Sequence, residues 1–255
     1  MRYSIYLILL FCFSCTIFQT IKVPEDKIGK LSDSNTKLKI ALVGFYPVTV
    51  SYRYEGRYFI STASLDYDHP MKDAFPIGQP VEQIPTSSID STIPAARCYL
   101  FVSNYLELVK KTGITELNKV VDFDITSDKE ELDKTKCLVK KRDVDYYIVG
   151  INGPSFRNNR TGIRLLFNLL LSVSTAFTFP IFEKCEAYSI FMIYDSKLNL
   201  IKTVKYDKDM TAIASWWSIL LTFGENYNTN YKDSLKQSQE NMIREFQVDF
   251  LETNK

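Results

Sequence analysis

The sequence predicts an α/β fold, with α+β as the alternative, built on a mixed sheet of about five strands with packed helices. Three patterns support this prediction. Apolar runs alternate with helical segments in the first part of the chain, two adjacent apolar runs further on form an antiparallel hairpin, and a final helix follows. Helices that alternate with strands must bury their apolar faces, so we expect them to pack on the sheet.

The first predicted elements are a strand and a hairpin. Lys39–Tyr46 is a short apolar run closed by a proline, which is the pattern of a buried strand. From Val48 onwards apolar and polar residues alternate, and Glu55-Gly56 offers a two-residue turn before Arg57–Thr62. We therefore predict a buried strand followed by a β-hairpin.

A proline-rich segment follows this hairpin. Pro70–Pro94 contains five of the nine prolines, and loops of this length are either functional or disordered. Together with the hairpin it makes an irregular insertion at about 48–93 in the predicted domain. We consider it a candidate partner-binding element, with an ordered, purely structural wrap as the alternative.

The middle of the chain alternates between helix and strand. Helical spacing of apolar residues predicts a helix over Pro94–Lys111, and Val120–Ile125 has the pattern of a strand. Ser127 is placed to cap a helix over 128–141, because Glu130 stands at the capping-box position. Asp143–Asn152 is the next predicted strand.

The C-terminal part predicts a hairpin and a helix. Between Cys185 and Asp207, two apolar runs are separated by the short loop SKLN, which favours an antiparallel hairpin. The final helix is predicted near Lys232–Leu251. Its apolar stripe consists of Leu235, Met242, Ile243, Phe246 and Phe250.

The composition excludes several classes of protein. The chain has 255 residues, 45% of them hydrophobic, with 31 Lys and Arg against 30 Asp and Glu. An average apolar content with almost no net charge excludes disorder, and the missing basic surplus argues against nucleic acid as a partner. A single histidine removes most metal and triad chemistry. We therefore expect no enzyme activity, no cofactor and no metal.

The N-terminus has the pattern of an export signal. Residues 1–14 read MRYSIYLILLFCFS, with one positive charge at Arg2 and an apolar run over Ile5–Phe13 that is shorter than the roughly 20 residues needed to span a bilayer. Cys15 follows a small residue directly. This arrangement resembles the lipobox of bacterial lipoproteins, in its relaxed spirochaetal form. The alternative is an ordinary secretory signal cut nearby.

The resemblance implies a lipid anchor. In that family the signal is cut before the cysteine, so Cys15 would carry the acyl chains and attach the protein to the membrane. Residue Thr16 is not the Asp that retains enteric lipoproteins at the inner membrane, which favours the outer membrane. Residues 15–38 are mostly polar and are predicted to form a flexible tether, and 39–255 to form a single domain.

The element order of the mature chain has a further resemblance. The strand Lys39–Tyr46, the helix Pro94–Lys111 and the Asp-Tyr-Tyr-Ile-Val-Gly strand resemble the α/β fold of LpoB/CsgG-like lipoproteins and of the TolB amino-terminal domain. The resemblance covers roughly Lys39–Asp207. It implies the fold only, and no functional residue is carried over from these families.

The remaining cysteines allow one disulfide at most. If Cys15 carries lipid, Cys98, Cys137 and Cys185 are left, so one disulfide would leave one thiol over. No pair has a metal-binding spacing. Three buried free thiols are the preferred prediction.

One apolar stretch invites several interpretations. The 18 residues between Arg164 and Glu183 carry no charge. The preferred prediction is a core helix followed by a buried strand. The alternatives are a segment that dips into the bilayer interface or binds a partner, and a membrane span. Five candidate membrane or partner contacts accompany the stretch: Arg157, Arg160, Arg164, Trp216 and Trp217.

No catalytic constellation emerges from the remaining motifs. His69 follows Asp66 and Asp68, but in a proline-rich segment and without a nucleophile motif elsewhere. We expect a lipid-anchored cell-envelope protein with a non-catalytic structural, assembly or interaction role, with an envelope protein as a candidate partner. The alternative is a surface-exposed ligand binder that uses Pro70–Pro94 and the tyrosine-rich hairpin Tyr52–Phe59. A hydrolase that uses His69 is a remote third hypothesis.

Overall fold

The computed structural model describes residues 15–19, 38–55, 58–109, 113–123, 137–153, 163–175, 178–185, 187–208, 210–215 and 227–253. The chain divides into two compact units. The small unit comprises residues 1–22, 154–188 and 207–241, and the large unit comprises 23–153, 189–206 and 242–255. This division differs from the predicted single domain over 39–255. The reason is that the small unit has a sheet of its own, which includes N-terminal residues.

The elements are numbered in chain order. The strands are β1 (Cys15–Gln19), β2 (Ile40–Gly44), β3 (Val48–Glu55), β4 (Tyr58–Leu65), β5 (Gln79–Pro80), β6 (Val121–Phe123), β7 (Cys137–Val139), β8 (Tyr146–Asn152), β9 (Ile181–Cys185), β10 (Tyr188–Asp195), β11 (Leu200–Asp207) and β12 (Met210–Ser215). The α-helices are α1 (Ala95–Val109), α2 (Ile114–Val120), α3 (Ile163–Ser174) and α4 (Tyr227–Thr253). Short 3₁₀ helices cover Lys72–Ala74 and Val81–Gln83.

A mixed five-stranded sheet forms the centre of the large unit. Its strand order is β11-β10-β8-β2-β5. Strand β2 is parallel to both β8 and β5, whereas β10 is antiparallel to β8. The sheet, its helices, the hairpin β10–β11 and the final helix together confirm the predicted α/β class.

Both faces of this sheet are covered. On one face α1, α2, β6 and β7 contribute to a core that includes Phe101, Tyr105 and Leu117. On the other face Phe75 and the C-terminal part of α4 pack on β2, β8 and β10, and the Phe246 ring stacks on Phe191 with centroids 4.3 Å apart. The predicted apolar stripe of the last helix is confirmed, because all five of its residues are buried.

The first half of the chain agrees largely with the sequence. Strands β3 and β4 form the predicted hairpin, with Glu55 paired to Tyr58 across the turn. Within Pro70–Pro94 the side chains of Met71, Phe75 and Val81 are buried. This segment is therefore an ordered wrap against the core, as one of the two interpretations expected.

Two local predictions were wrong or incomplete. Cys137–Val139 is the strand β7, paired with β6, and not the end of a helix over 128–141; residues 124–136 lie outside the described part. The seven-residue α2 was not predicted, because it is too short to show a helical apolar repeat.

Cys98 and Cys137 form a disulfide, so the prediction of three free thiols was wrong. Their Cα atoms are 5.8 Å apart, and both residues are buried. The bond links α1 to β7, two elements that are 39 residues apart in sequence. Only their packing brings the sulfurs together. Cys185, the remaining cysteine, ends β9.

The small unit contains an antiparallel three-stranded sheet with the order β1-β12-β9. Helix α3 packs against β9. Residues 15–19, which were predicted to belong to a flexible tether, form β1, and residues 20–37 lie outside the described part. The first part of α4, up to Asn241, also belongs to this unit.

Candidate functional site

The structure places two of the six predicted site residues. Cys15 is the first residue of β1, and Arg164 is the second residue of α3. Both belong to the small unit. Arg157, Arg160, Trp216 and Trp217 lie outside the described residues.

Strand register places Cys15 at a defined end of the small sheet. Cys15 pairs with Ser215 at the end of β12, and the neighbouring Ala214 pairs with Ile181 at the start of β9. The chain that comes from α3 therefore enters the sheet at the end where Cys15 lies. Trp216 follows Ser215 directly in the sequence.

Helix α3 exposes its apolar side chains. Six large apolar residues between its second and last turns are between 45 and 61% exposed. They are Leu166, Phe167, Leu169, Leu170, Leu171 and Val173. Ser172 is fully buried on the same helix. The prediction of a core helix is therefore wrong for residues 166–173, since Ser172 is buried and these six apolar side chains are exposed.

The apolar surface continues beyond α3 towards the sheet. Phe179 and Phe182 are both exposed by more than a third, and their rings contact each other edge to face at 6.2 Å. Phe182 lies in β9, opposite Ile213 of β12. Exposed apolar side chains are therefore present on the helix, on the segment that follows it and on the three-stranded sheet.

A second cluster of chemical groups lies in the large unit and was missed by sequence reasoning. We call Lys72, Glu82, Glu116 and Lys119 the charge cluster. Fully buried Glu116 accepts hydrogen bonds from the Tyr46 hydroxyl at 2.9 Å and from the Gly44 N–H at 3.3 Å, and it pairs with Lys119. The ammonium of Lys72 donates to Glu82 at 2.7 Å and lies 3.8 Å from Glu116.

The charge cluster lies where the parallel strand β2 ends. Gly44 has a φ of 81°, and a Cβ there would come within 2.5 Å of the Gly150 carbonyl oxygen, so only glycine fits. Phe45 also has a positive φ, of 63°. Asn152 at the end of β8 donates to the Tyr46 carbonyl at 2.9 Å. This is the end of an α/β sheet at which ligands usually bind.

Burial and pairing within the charge cluster together shift the pKa values of Lys119, Glu82 and Tyr46. Burial and the charge of Glu116 raise the pKa of Tyr46 to about 12. Burial alone would lower the pKa of Lys119, but its hydrogen bonds with Glu116 and Tyr46 outweigh burial and raise it. Burial would raise the pKa of Glu82, but the hydrogen bond and charge of Lys72 hold it below its ordinary value.

These contacts favour a structural role for the charge cluster. Its two cations and two anions pair with one another, and Glu116 fixes the turn that follows β2 through Gly44 and Tyr46. Buried charges are tolerated when they are paired and hydrogen-bonded in this way. The sequence carried little signal for this cluster, because its members come from three separate segments.

His69 lies in an exposed turn. Its Nδ1 lies 3.1 Å from the nearer Asp66 carboxylate oxygen, and its side chain is 66% exposed. Among the described residues, no group of three or more His, Cys, Asp and Glu could hold a metal ion. The geometry found here is that of an exposed local contact between His69 and Asp66.

The large unit also has an apolar groove between β10, β11 and the end of α4. The groove is lined by Ile193, Ile201, Val204, Tyr206, Phe246 and Phe250, among other residues. The hydroxyl of Tyr206 bonds to Asp249 at its edge. Burial and this carboxylate raise the pKa of Tyr206, so its phenol stays protonated at neutral pH.

Comparison with known proteins adds no further constraint. No protein-family profile, no curated protein and no solved structure matches this chain. None of the helices in the described ranges is long and apolar enough to cross a membrane.

Proposed function

We propose that this protein is a lipid-anchored lipoprotein of the cell envelope with a non-catalytic structural, assembly or interaction role. The observation that carries the proposal is Cys15, which follows a charged and then apolar leader and a small residue. Cleavage before Cys15 would leave this residue as the N-terminus and as the site of acylation. The resemblance to lipoproteins that lack Asp after the cysteine favours the outer membrane.

The disulfide supports export. Disulfides persist in oxidising compartments such as the bacterial periplasm and are rare in the cytosol. The bond between Cys98 and Cys137 is buried in the large unit and leaves Cys15 out of the pairing. A mature chain that folds outside the cytoplasm is consistent with both observations.

The charge balance favours acyl chains as the means of attachment. Removal of residues 1–14 takes away one cation, Arg2, and leaves equal numbers of acidic and basic residues. Attraction to anionic lipid therefore contributes little. Each buried methylene contributes about 0.8 kcal/mol, and two or more chains make the attachment stable.

Metabolic labelling with palmitate tests the proposal. In wild-type cells we expect label in this protein and recovery of the protein in the membrane fraction. Cys15→Ala should abolish the labelling, and Cys185→Ala, a matched control outside the leader, should keep it. Labelling that persists in Cys15→Ala would refute the assigned lipid site.

A further inference from the structure

We propose that the exposed apolar side of α3 lies in the lipid bilayer surface next to the acyl anchor. This inference rests on the proposed function, since it assigns a membrane-facing surface to the unit that contains Cys15. It concerns residues 166–173, which are remote in sequence from the anchor, and it commits to lipid as the occupant of this surface.

The first step of the argument is the polarity of α3. At 3.6 residues per turn, the six exposed apolar residues cover an arc of roughly 200°. Asn168 and Ser172 lie on the opposite side, and Ser172 is fully buried. Exposed Ser174 lies within the arc, but its hydroxyl donates to the Leu171 carbonyl of the same helix at 2.9 Å. A helix on the surface of a water-soluble protein has the reverse arrangement, with its apolar residues towards the protein and its polar residues towards the solvent. The polarity of α3 therefore suits an apolar environment outside the protein.

The second step distinguishes lipid from a protein partner. Protein interfaces have an apolar centre and a polar rim that includes charged residues. The segment from Leu165 to Phe182 contains no charged residue, and the exposed side chains described between Leu166 and Val173 are all apolar. A surface without charges along this length fits hydrocarbon better than the surface of another protein.

The third step is the position of the anchor. Cys15, Ser215 and Ile181 share one end of the small sheet through their strand register. Exposed Phe179 and Phe182 follow α3 in the chain, and Phe182 belongs to β9 of this sheet. Acyl chains on Cys15 would therefore hold the same unit against the membrane that exposes the apolar helix.

The length of α3 sets how it can meet the bilayer. Its 12 residues span about 18 Å, whereas the hydrocarbon core is about 30 Å thick. The helix is therefore suited to lie in the interface. Helices of this kind bury their apolar face about 5–10 Å deep at the boundary between headgroups and acyl chains.

Quenching of tryptophan fluorescence by brominated lipids tests the inference. The mature acylated protein is added to vesicles of phosphatidylcholine and phosphatidylglycerol, with Trp216→Phe and Trp217→Phe to remove the two native tryptophans. A single tryptophan is then introduced by Leu170→Trp. The matched control is Leu100→Trp on α1 of the large unit, because Leu100 and Leu170 are 58 and 57% exposed.

We expect lipids brominated near the top of the chains to cause about a twofold or greater loss of emission from Leu170→Trp, since interfacial helices reach this depth. The Leu100→Trp emission should change little. An unquenched Leu170→Trp would overturn the inference, and so would equal quenching of both variants. A blue-shifted but unquenched Leu170→Trp would mean that a protein, such as a second copy, covers α3.

Flotation and intact mass keep the two proposals apart. If the acyl mass is present and the protein floats with the vesicles while Leu170→Trp is unquenched, the anchor stands and the α3 inference fails. If the acyl mass is absent but Leu170→Trp is still quenched, the proposed lipid site fails and the inference holds only for the contact of α3 with lipid, without an acyl anchor beside it. Absence of both the acyl mass and quenching rejects both proposals.

Discussion

Helices α1 and α3 have similar lengths and opposite relationships to water. On α1 the residues Cys98, Phe101, Val102 and Tyr105 are buried, and the exposed Leu100 lies on the other side. On α3 Ser172 is buried, whereas Leu166, Leu169, Leu170 and Leu171 are exposed. The more apolar of the two helices is therefore the one that contributes less to a protein core.

This comparison shows that apolar content does not by itself predict burial in the protein. Helix α1 covers one face of a five-stranded sheet, so its apolar stripe has a partner of matching size. Helix α3 packs against β9 of a three-stranded sheet, and its buried Ser172 is polar. The remaining apolar surface of α3 needs another environment, and we propose that the bilayer supplies it.

The largest effect on stability is expected in the core of the large unit. Phe246→Ala removes a buried ring that stacks on Phe191, and such truncations lower the free energy of unfolding by about 3–5 kcal/mol. Urea denaturation followed by circular dichroism measures this loss. The matched change on α3, Phe167→Ala, removes an exposed ring and should cost much less. Equal losses would contradict the contrast between the two regions.

Loss of the disulfide should have the next largest effect. The double variant Cys98→Ala with Cys137→Ala opens a loop of 39 residues and should lower the free energy of unfolding by about 2–4 kcal/mol. Thermal unfolding with and without reductant measures the effect. Reductant should destabilise the wild type and leave the double variant unchanged; a wild type that does not respond would argue against the disulfide.

Disruption of the charge cluster should cost less than either change. Glu116→Gln removes the charge that pairs with Lys119 inside the protein and weakens the bond to Tyr46, which should cost about 2 kcal/mol. Urea denaturation checks this value. Glu107→Gln on the exposed side of α1 is the control and should leave stability unchanged. If both variants unfold alike, the charge cluster is not needed for stability.

A smaller effect should appear as a dependence on pH. Because the pKa of Glu82 in the folded protein lies below its ordinary value of 4.5, its stabilising contribution is present above that value and is lost as the pH falls through the lower folded pKa. Unfolding measured between neutral and acidic pH should show this loss. The Glu82→Gln variant should lose less stability than the wild type over this pH range. If the variant and the wild type have the same pH profile, Glu82 does not contribute to the pH dependence.

The smallest effect on stability is expected on α3. Leu169→Asp would unfold the protein if this residue were in the core, but its side chain is 45% exposed. Surface changes usually stay within about 0.5 kcal/mol, so the thermal midpoint should hardly move. Binding to vesicles should weaken instead. A collapse of the thermal transition would show that α3 is buried in the folded protein.

Much of the large unit could be predicted from the sequence. The apolar run of β2, the turn at Glu55-Gly56 and the stripe on α4 are local patterns, and each reports directly on the element that it forms. The disulfide and the charge cluster could not be predicted. Cys98 and Cys137, like Glu116 and Lys72, meet only because separate elements pack together.

The candidate membrane surface was half predictable. The leader with Cys15 is a contiguous signal, and the charge-free stretch after Arg164 was visible as an unusual segment. The sequence favoured a core position for that stretch. Composition alone cannot tell whether an apolar segment is buried in the protein core or in lipid. Exposure, which is a property of the folded unit, separates the two.

The sequence by itself determined the α/β class and the order of most elements, because these depend on neighbours along the chain; the proposal that Cys15 carries lipid rests on the same kind of local pattern. Tertiary structure decided which cysteines pair, which residues pair with Glu116 and which side of α3 is covered. Those features depend on contacts between residues far apart in sequence, and only packing of the chain creates such contacts.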